Sequence, residues 1–367
     1  MKSKLLKIIH AAINGVPLDE TEFSALTGQE WAELFRLSAR QGVKAVAFEA
    51  VSKLPASVPI PKQLKIQWFG AAVGVENEYA HRLQASAEFA ERMEDSGLHT
   101  MVLKGLAVGT YYPIPAHREF GDLDCYLFKG ELPDVQWGSG YEPGNVAAEN
   151  AGAKVERGHY KHSHVVYKRM QIENHQFFLP VRGKKDVKEL ERHLRSVALP
   201  ATEEVKYVEG TRLIMPSADF NALFLTAHAM NHFLYETIRL RNMCDWALFL
   251  KAEQQHVNWK VFYQWCDKMH YTRFVNSLNY ICHHYLGVEL CSELKEDEYH
   301  AGLILNDMWE GDTLYNKKHS SRMQFRIELA MNFIRSSWKY SKIYQRNAFV
   351  SLTSQGISML LDKHPKV

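Results

Sequence analysis

The stretch REFGDLDCYLF, residues 118–128, constrains the fold of this chain more than any other feature. Asp122 and Asp124 stand one residue apart, directly before an apolar run. If the run is a β-strand, the alternation of side chains places both carboxylates on one face. Two anions so close repel each other unless a cation lies between them. The stretch therefore indicates a cation site at the start of a strand, with a solvated strand end or an ion pair to Arg118 as alternatives.

Hydrophobic periodicity divides the chain into three regions. Residues 1–96 and 206–367 carry apolar side chains at helical spacing, and one early helix begins with a capping box formed by Thr27 and Glu30. Residues 97–205 instead contain short apolar runs typical of strands. We therefore expect an α+β fold, in which a small mixed β-sheet core lies between N-terminal and C-terminal helical regions.

The central region predicts four strands. HTMVL, residues 99–103, and LDCYLF, residues 123–128, are short apolar runs. The segment HVVYKRMQIENHQFFL contains two further runs on either side of Lys168-Arg169, which indicates a hairpin. Residues 129–158 are rich in Gly, Pro and Asn, and we expect a loop there with one weak element.

Composition excludes several classes of protein. The net charge of +2 gives no global electrostatic attraction to nucleic acid or membranes. No run approaches the roughly 18 uncharged apolar residues of a membrane span, and Lys7 and His10 interrupt the apolar N-terminal stretch, so no signal peptide is expected. The five scattered cysteines form no CxxC pair, which argues against a disulfide framework or a cysteine-rich zinc site. We expect a cytoplasmic protein.

Two further segments add chemistry to the paired aspartates. In VLKGLAVG, a predicted strand runs into a glycine turn and a helix start, where the backbone at Gly105 and the charge of Lys104 could approach a phosphate. In QIENHQFF, Glu173 interrupts a run otherwise suited to a buried strand. A carboxylate there needs a metal or a partner such as Lys168 or Arg169.

Together these segments suit phosphoryl chemistry. Two aspartates on one strand and a carboxylate from a neighbouring strand can hold two Mg²⁺ ions about 3.5–4 Å apart, one on a triphosphate and one on an attacking hydroxyl. Mg²⁺ keeps waters and substrate phosphates as ligands, so few protein carboxylates are needed. This is the chemistry of nucleotidyl transfer.

The order of the motifs resembles the family of uncharacterised nucleotidyltransferases in the DNA polymerase beta-like superfamily. The motifs that match are Leu103-Lys104-Gly105, Tyr112-Pro113, Pro115, Arg118, Gly121-Asp122, Asp124, Glu173 and His175. The helical segments TAHAMNHF and LRNMCDWALFL also look like the family's C-terminal region. The resemblance covers roughly residues 25–290.

The resemblance implies a set of roles. It makes this chain an enzyme that moves a nucleotidyl group from a nucleoside triphosphate such as ATP to a hydroxyl-bearing acceptor, which could be a small molecule, a sugar, a protein or an RNA end. The cofactor is Mg²⁺, with two ions expected and Mn²⁺ as an alternative. The implied catalytic and metal-binding residues are Asp122, Asp124 and Glu173, the last also as general base, and the implied nucleotide-binding residues are Lys104, Gly105, Arg118 and His175.

One departure keeps a different function open. The superfamily usually has a serine after the first glycine, and its hydroxyl helps to hold the triphosphate, whereas this chain has Leu106. The alternative is a catalytically silent module that keeps the fold as a nucleotide sensor or a partner-docking scaffold.

The sequence leaves more than one role open for four histidines and for the C-terminal segment. His228 and His232 share one helix face, where they could bind a metal, line the nucleotide cleft or simply pack. His162 and His164 could approach the triphosphate or be solvated. Residues 321–349 interleave basic and aromatic side chains, which suits nucleic-acid binding, an amphipathic helix with a solvated basic face, or attachment to a membrane surface.

Overall fold

The computed structural model describes residues 1–132, 134–182, 184–201, 204–311 and 334–346. The fold is α+β, as the sequence predicted: a six-stranded mixed sheet is flanked by helices from both ends of the chain. Among the described residues, no helix combines the length and the apolar character needed to cross a lipid bilayer.

The N-terminal region is helical. The predicted capping box is present at the start of its third helix, where the Thr27 hydroxyl accepts from the Glu30 amide and the Glu30 carboxylate accepts from the Thr27 amide. The last helix of the region is 34 residues long and runs alongside the sheet. The five helices are α1 (Lys2–Asn14), α2 (Glu20–Ser24), α3 (Gly28–Arg40), α4 (Lys44–Val51) and α5 (Lys62–Asp95).

The central sheet mixes parallel and antiparallel pairs. Its strands are β1 (His99–Val102), β2 (Asp122–Phe128), β3 (Lys154–Glu156), β4 (His162–Tyr167), β5 (Met170–His175) and β6 (Leu213–Ile214). The spatial order is β3-β4-β5-β2-β1-β6, in which β2 is parallel to β5 and β1 is parallel to β6. The sheet thus includes a strand that lies beyond residue 205, where we expected the central region to end.

The predicted hairpin is confirmed. Strands β4 and β5 are antiparallel and Tyr167 pairs with Met170, so the turn consists of Lys168 and Arg169 alone. Both turn residues have positive φ angles, 46° and 65°. Two-residue hairpin turns with positive φ at both residues usually carry Asn or Gly. The pairing of the two strands therefore imposes this conformation on Lys168 and Arg169.

The segment 129–158 contains more structure than we expected. After α6 (Leu106–Gly109) and β2, the chain forms α7 (Tyr141–Asn150) and then β3. Gly140 and Gly144 lie so close to β2 that an added Cβ on either would overlap Leu127. These glycines, which suggested a loop, instead allow a helix to approach the sheet closely.

Each face of the sheet packs against different helices. Leu123 and Leu127 of β2 belong to a buried cluster with Phe89 of α5. The alternate side chain Tyr126 belongs to a second cluster, which includes Phe220 from the C-terminal region. The second cluster also contains residues of the N-terminal helices, so the helical regions and one sheet face share a continuous apolar core.

The C-terminal region is also helical. Its helices are α8 (Lys185–Val197), α9 (Ala218–Tyr235), α10 (Leu240–Glu253), α11 (Trp259–Met269), α12 (Thr272–Leu286) and α13 (Glu298–Glu310). A last described segment, residues 334–346, packs back onto this region through buried Tyr340 and Ile343.

Candidate active site

Pairing of β2 with β5 brings three carboxylates together. In the parallel register, Asp124 lies opposite Glu173 and Asp122 lies opposite Gln171. Asp122, Asp124 and Glu173 each offer an oxygen, and these oxygens all lie within 4.8 Å of one another. We call these three residues the carboxylate group. The structure thus brings together the acidic residues that the sequence singled out, while their roles as metal ligands and catalytic groups stay predictions.

Lys104 supplies the positive charge between the two aspartates. Its Nζ lies 2.8 Å from Asp124 Oδ2 and 3.9 Å from Asp122 Oδ1. Lys104 lies two residues after the end of β1, and Gly105 turns the chain into α6 with a φ of 62°, which favours glycine. The ammonium therefore lies beside the two aspartates, where the sequence predicted a cation.

The two aspartates have opposite electrostatic environments. Burial, with repulsion from Asp124 added, raises the pKa of the Asp122 carboxyl. Burial alone would also raise the pKa of Asp124, but the Lys104 ammonium and the His175 ring outweigh it and hold this pKa well below its usual value. Asp124 is therefore a firmly ionised anion, whereas the charge on Asp122 is costly without a further cation.

Glu173 lies among histidines rather than beside the lysine or arginine of the hairpin turn. Its Oε2 is 3.3 Å from His162 Nδ1 and 3.5 Å from His175 Nε2, and its Oε1 is 3.9 Å from His164 Nδ1. Burial opposes ionisation, but the hydrogen bond from His175 and the neighbouring rings of His162 and His175 lower the pKa of Glu173 to about 2. We had considered a salt bridge from Glu173 to Lys168 or Arg169. The structure instead places Glu173 against the histidines and pairs Lys168 with Glu88.

His162 and His175 lie opposite each other in the β4–β5 pair. His175 is buried, and its Nε2 is 3.2 Å from Asp124 Oδ1. Burial lowers the pKa of His162 to about 2, so this ring is neutral at physiological pH. His162 therefore belongs to the site, whereas His164 is partly exposed next to it.

Arg118 is held by a buried carboxylate. Its Nε and Nη2 each donate to Asp245 of α10 over 2.8 Å, and the Tyr112 hydroxyl donates to the same carboxylate over 2.7 Å. Arg118 is only 5% exposed. Arg118 therefore pairs with Asp245 rather than with Asp122 or Asp124, the ion pair that we had considered, and its role in nucleotide binding stays a prediction.

A cleft of about 580 Å³ lies above the carboxylate group. Its floor is formed by the ends of β2 and β5, and its opposite wall by α9 and α10, with Asp122, Glu173, Lys104, His228, His232 and Arg241 among the lining residues. Burial first, and the charge of Lys104 second, lower the pKa of His232 to about 4 and hold that of His228 well below its usual value. Both histidines are therefore neutral and line the cleft, and neither belongs to a potential metal-binding group among the described residues.

Sequence reasoning missed two cationic residues of the site. Arg241 lines the cleft and donates to the Glu119 carbonyl oxygen over 2.9 Å. Lys161 precedes β4, and its charge acts on the carboxyls of Asp124 and Glu173; burial, more than these anions, sets its lowered pKa. Neither residue carries a local sequence signal, because helix packing brings Arg241 to the cleft and strand pairing brings Lys161 near the carboxylates of Asp124 and Glu173.

The basic segment predicted at residues 321–349 is only partly described. Arg322 and Arg326 lie outside the described residues. Lys339 is buried, with its Nζ 3.0 Å from the Phe233 carbonyl oxygen and 2.7 Å from Asp307 Oδ2, and Arg346 pairs with Asp186. Nucleic-acid binding by this segment stays a prediction.

The comparisons with known proteins give one match. The family model described as uncharacterised nucleotidyltransferase matches residues 27–287, which is more than half of the chain. No curated protein and no solved structure matches. The chain belongs to the family of uncharacterised nucleotidyltransferases.

Proposed function

We propose that this chain is a Mg²⁺-dependent enzyme that transfers a nucleotidyl group from a nucleoside triphosphate to a hydroxyl-bearing acceptor. The observation that supports it most is the carboxylate group, whose oxygens lie within 4.8 Å of one another and two of whose members, Asp122 and Glu173, line the cleft. Family membership supports the reaction class. Mn²⁺ is the alternative ion, ATP is one donor to be tested, and the acceptor is a small molecule, a sugar, a protein or an RNA end.

The donor set suits Mg²⁺. Carboxylate oxygens are the ligands this hard ion prefers, and it fills its remaining positions with water and phosphate oxygens. The Lys104 ammonium marks the location of a cation between Asp122 and Asp124. Bound ions of this kind neutralise a triphosphate and activate an attacking hydroxyl.

We assign the remaining roles in binding and catalysis to individual residues of the chain. Asp122 and Asp124 hold the cations, and Lys104 and the backbone at Gly105 bind phosphate oxygens beside them. Glu173 orients the acceptor side of the site. Because its pKa is lowered to about 2, its carboxylate is a weak proton acceptor, which favours the ligand role of Glu173 over its role as general base.

The second candidate is a nucleotide-binding module without catalysis. Leu106 offers no hydroxyl to the triphosphate, and the Asp124 carboxylate is already paired with Lys104. Such a module binds a triphosphate and never transfers its label.

The test is label transfer from each α-labelled nucleoside triphosphate, with Mg²⁺ and a cell lysate as the source of acceptors. We expect one class of acceptor to become labelled, and Glu173→Gln, which removes a metal ligand, to lower labelling while triphosphate binding at Asp122 and Asp124 persists. Binding without labelling in the wild type would favour the silent module. If no triphosphate binds, both proposals are wrong.

A further inference from the structure

We propose that His162, His175 and Glu173 form a second metal site, specific for a borderline transition ion such as Zn²⁺. We call these residues the imidazole group. One nitrogen or oxygen from each lies within 4.8 Å of the others. The inference rests on the proposed function only through Glu173, which also belongs to the carboxylate group.

The first argument is that the ring nitrogens of His162 lack hydrogen-bond partners among the described residues. His162 is 7% exposed, and neither ring nitrogen has a hydrogen-bond partner within the described ranges of the chain. Its Nδ1 lies 3.3 Å from Glu173 Oε2 but without hydrogen-bond geometry. A buried polar group left unpaired costs folding free energy. A ligand that accepts the ring lone pair accounts for this cost.

The second argument is the orientation of His175. Its Nδ1 is 3.1 Å from the carbonyl oxygen of Phe177, and a carbonyl can only accept, so Nδ1 carries a proton. Its Nε2 lies 3.2 Å from Asp124 Oδ1 and 3.5 Å from Glu173 Oε2. A metal ion that binds there takes the place of the proton on Nε2. Metal-binding histidines are held in this way, with the other ring nitrogen donating to a carbonyl or carboxylate.

The spacing of these atoms suits a small ion. Zn²⁺ binds imidazole nitrogens and carboxylate oxygens at about 2.0–2.2 Å in a tetrahedron, so neighbouring ligand atoms lie about 3.4 Å apart. The distances of 3.3 and 3.5 Å from Glu173 Oε2 to the two histidines match this edge.

The donor set separates this site from the carboxylate group. Two imidazoles and a carboxylate favour Zn²⁺ and other borderline ions, whereas Mg²⁺ prefers oxygen. Because Glu173 belongs to both groups, Zn²⁺ bound by the imidazole group withdraws this carboxylate from the Mg²⁺ site. The arrangement predicts that Zn²⁺ inhibits Mg²⁺-dependent transfer by competition for Glu173.

The test measures Zn²⁺ affinity without nucleotide, by competition with a chromophoric chelator. An exposed group of His283, His284 and Glu296 also brings ligand atoms within 4.8 Å, so the background protein carries His283→Gln and His284→Gln. In this background, we expect His162→Gln and His175→Gln each to weaken Zn²⁺ binding at least about 100-fold.

The matched control is His164→Gln. His164 lies on the same strand as His162, but its side chain is 33% exposed and its Nδ1 is 3.9 Å from Glu173 Oε1. We expect this variant to bind Zn²⁺ like the background protein. Equal affinity in all three variants would overturn the proposal.

A second measurement does not depend on the folding of the His162 and His175 variants. X-ray absorption at the zinc edge of the loaded background protein should report two imidazole ligands, and one or none would also overturn the inference. Asp122→Asn separates the two proposals, because it should remove Mg²⁺–triphosphate binding and keep Zn²⁺ affinity. Zn²⁺ binding without label transfer contradicts the proposed function alone, and the reverse result contradicts this inference alone.

Discussion

At the scale of single residues, Asp122 and Asp124 behave differently although they lie one residue apart. Asp124 is 3% exposed and paired with both Lys104 and His175. Asp122 is more exposed and is 3.9 Å from the same ammonium. Local alternation predicts two equivalent carboxylates, and the difference arises from what the fold places around each.

This difference predicts stability changes of opposite sign in the absence of metal. Asp122→Asn removes a charge that burial and Asp124 disfavour, and we expect a gain of about 0–1 kcal/mol in unfolding free energy. Asp124→Asn leaves the Lys104 ammonium buried without its anion, and we expect a loss of about 3 kcal/mol. Urea unfolding of both variants at neutral pH measures the two changes. Losses of equal size would show that the carboxylates are equivalent.

We expect Lys104 to bind the triphosphate in addition to its ion pair with Asp124. Lys104→Ala should weaken binding of Mg²⁺–triphosphate by about 1.5–3 kcal/mol, the range for hydrogen bonds to charged groups. Calorimetry on the folded variant measures this, with Lys53→Ala as a control for the loss of one positive charge at an exposed position. Unchanged affinity in Lys104→Ala would remove this residue from the phosphate site.

At the scale of elements, the pair of Arg118 and Asp245 connects the segment before β2 to α10. Both side chains are buried, and the guanidinium makes two parallel hydrogen bonds to the carboxylate. Removing one partner of such a pair leaves an unbalanced buried charge, which costs more than the pair contributes. The pair therefore fixes one wall of the cleft relative to its floor.

We expect Arg118→Lys to lower the free energy of unfolding by about 3 kcal/mol, since lysine keeps the charge and loses the two-pronged geometry. Tyr112→Phe removes only the third hydrogen bond to Asp245 and should cost about 1 kcal/mol. Chemical denaturation measures both. Triphosphate affinity of the folded Arg118→Lys variant then separates a structural role from phosphate binding: a large loss of affinity at unchanged stability would favour phosphate binding.

At the scale of the whole molecule, His117 joins the N-terminal helices to the sheet region. Its Nδ1 lies 2.6 Å from Glu49 of α4, and its Nε2 lies 2.8 Å from Glu76 of α5. Burial alone would lower the pKa of His117, but hydrogen bonds to the two carboxylates outweigh it and raise this pKa. The contact is therefore strongest when the ring is protonated.

The sign of the pH dependence follows. A histidine whose pKa is raised by folding stabilises the protein fully below its unfolded pKa of about 6.5, and this contribution is lost as pH rises through the folded value. We expect the stability difference between wild type and His117→Gln to be larger at about pH 6 than at about pH 8.5. Urea unfolding at both pH values measures it, and Glu76→Gln should reduce the difference. A difference that grows with pH would contradict the assignment.

The sequence alone determined the features that depend on neighbouring residues. Alternation placed Asp122 and Asp124 on one face, the capping box located the start of α3, and the two runs around Lys168 and Arg169 gave the hairpin. Side-chain period and cap chemistry act within a few residues. They are therefore visible without the fold.

Only the tertiary structure decided which distant residues meet. Strand register placed Glu173 opposite Asp124, and packing of α10 brought Asp245 to Arg118 from 127 positions away. The Gly-rich stretch after β2 predicted a loop. Its glycines are instead required because Leu127 packs against them, a contact that the sequence does not show. Pairing and close packing depend on chain segments far apart in sequence, and no local pattern encodes their partners.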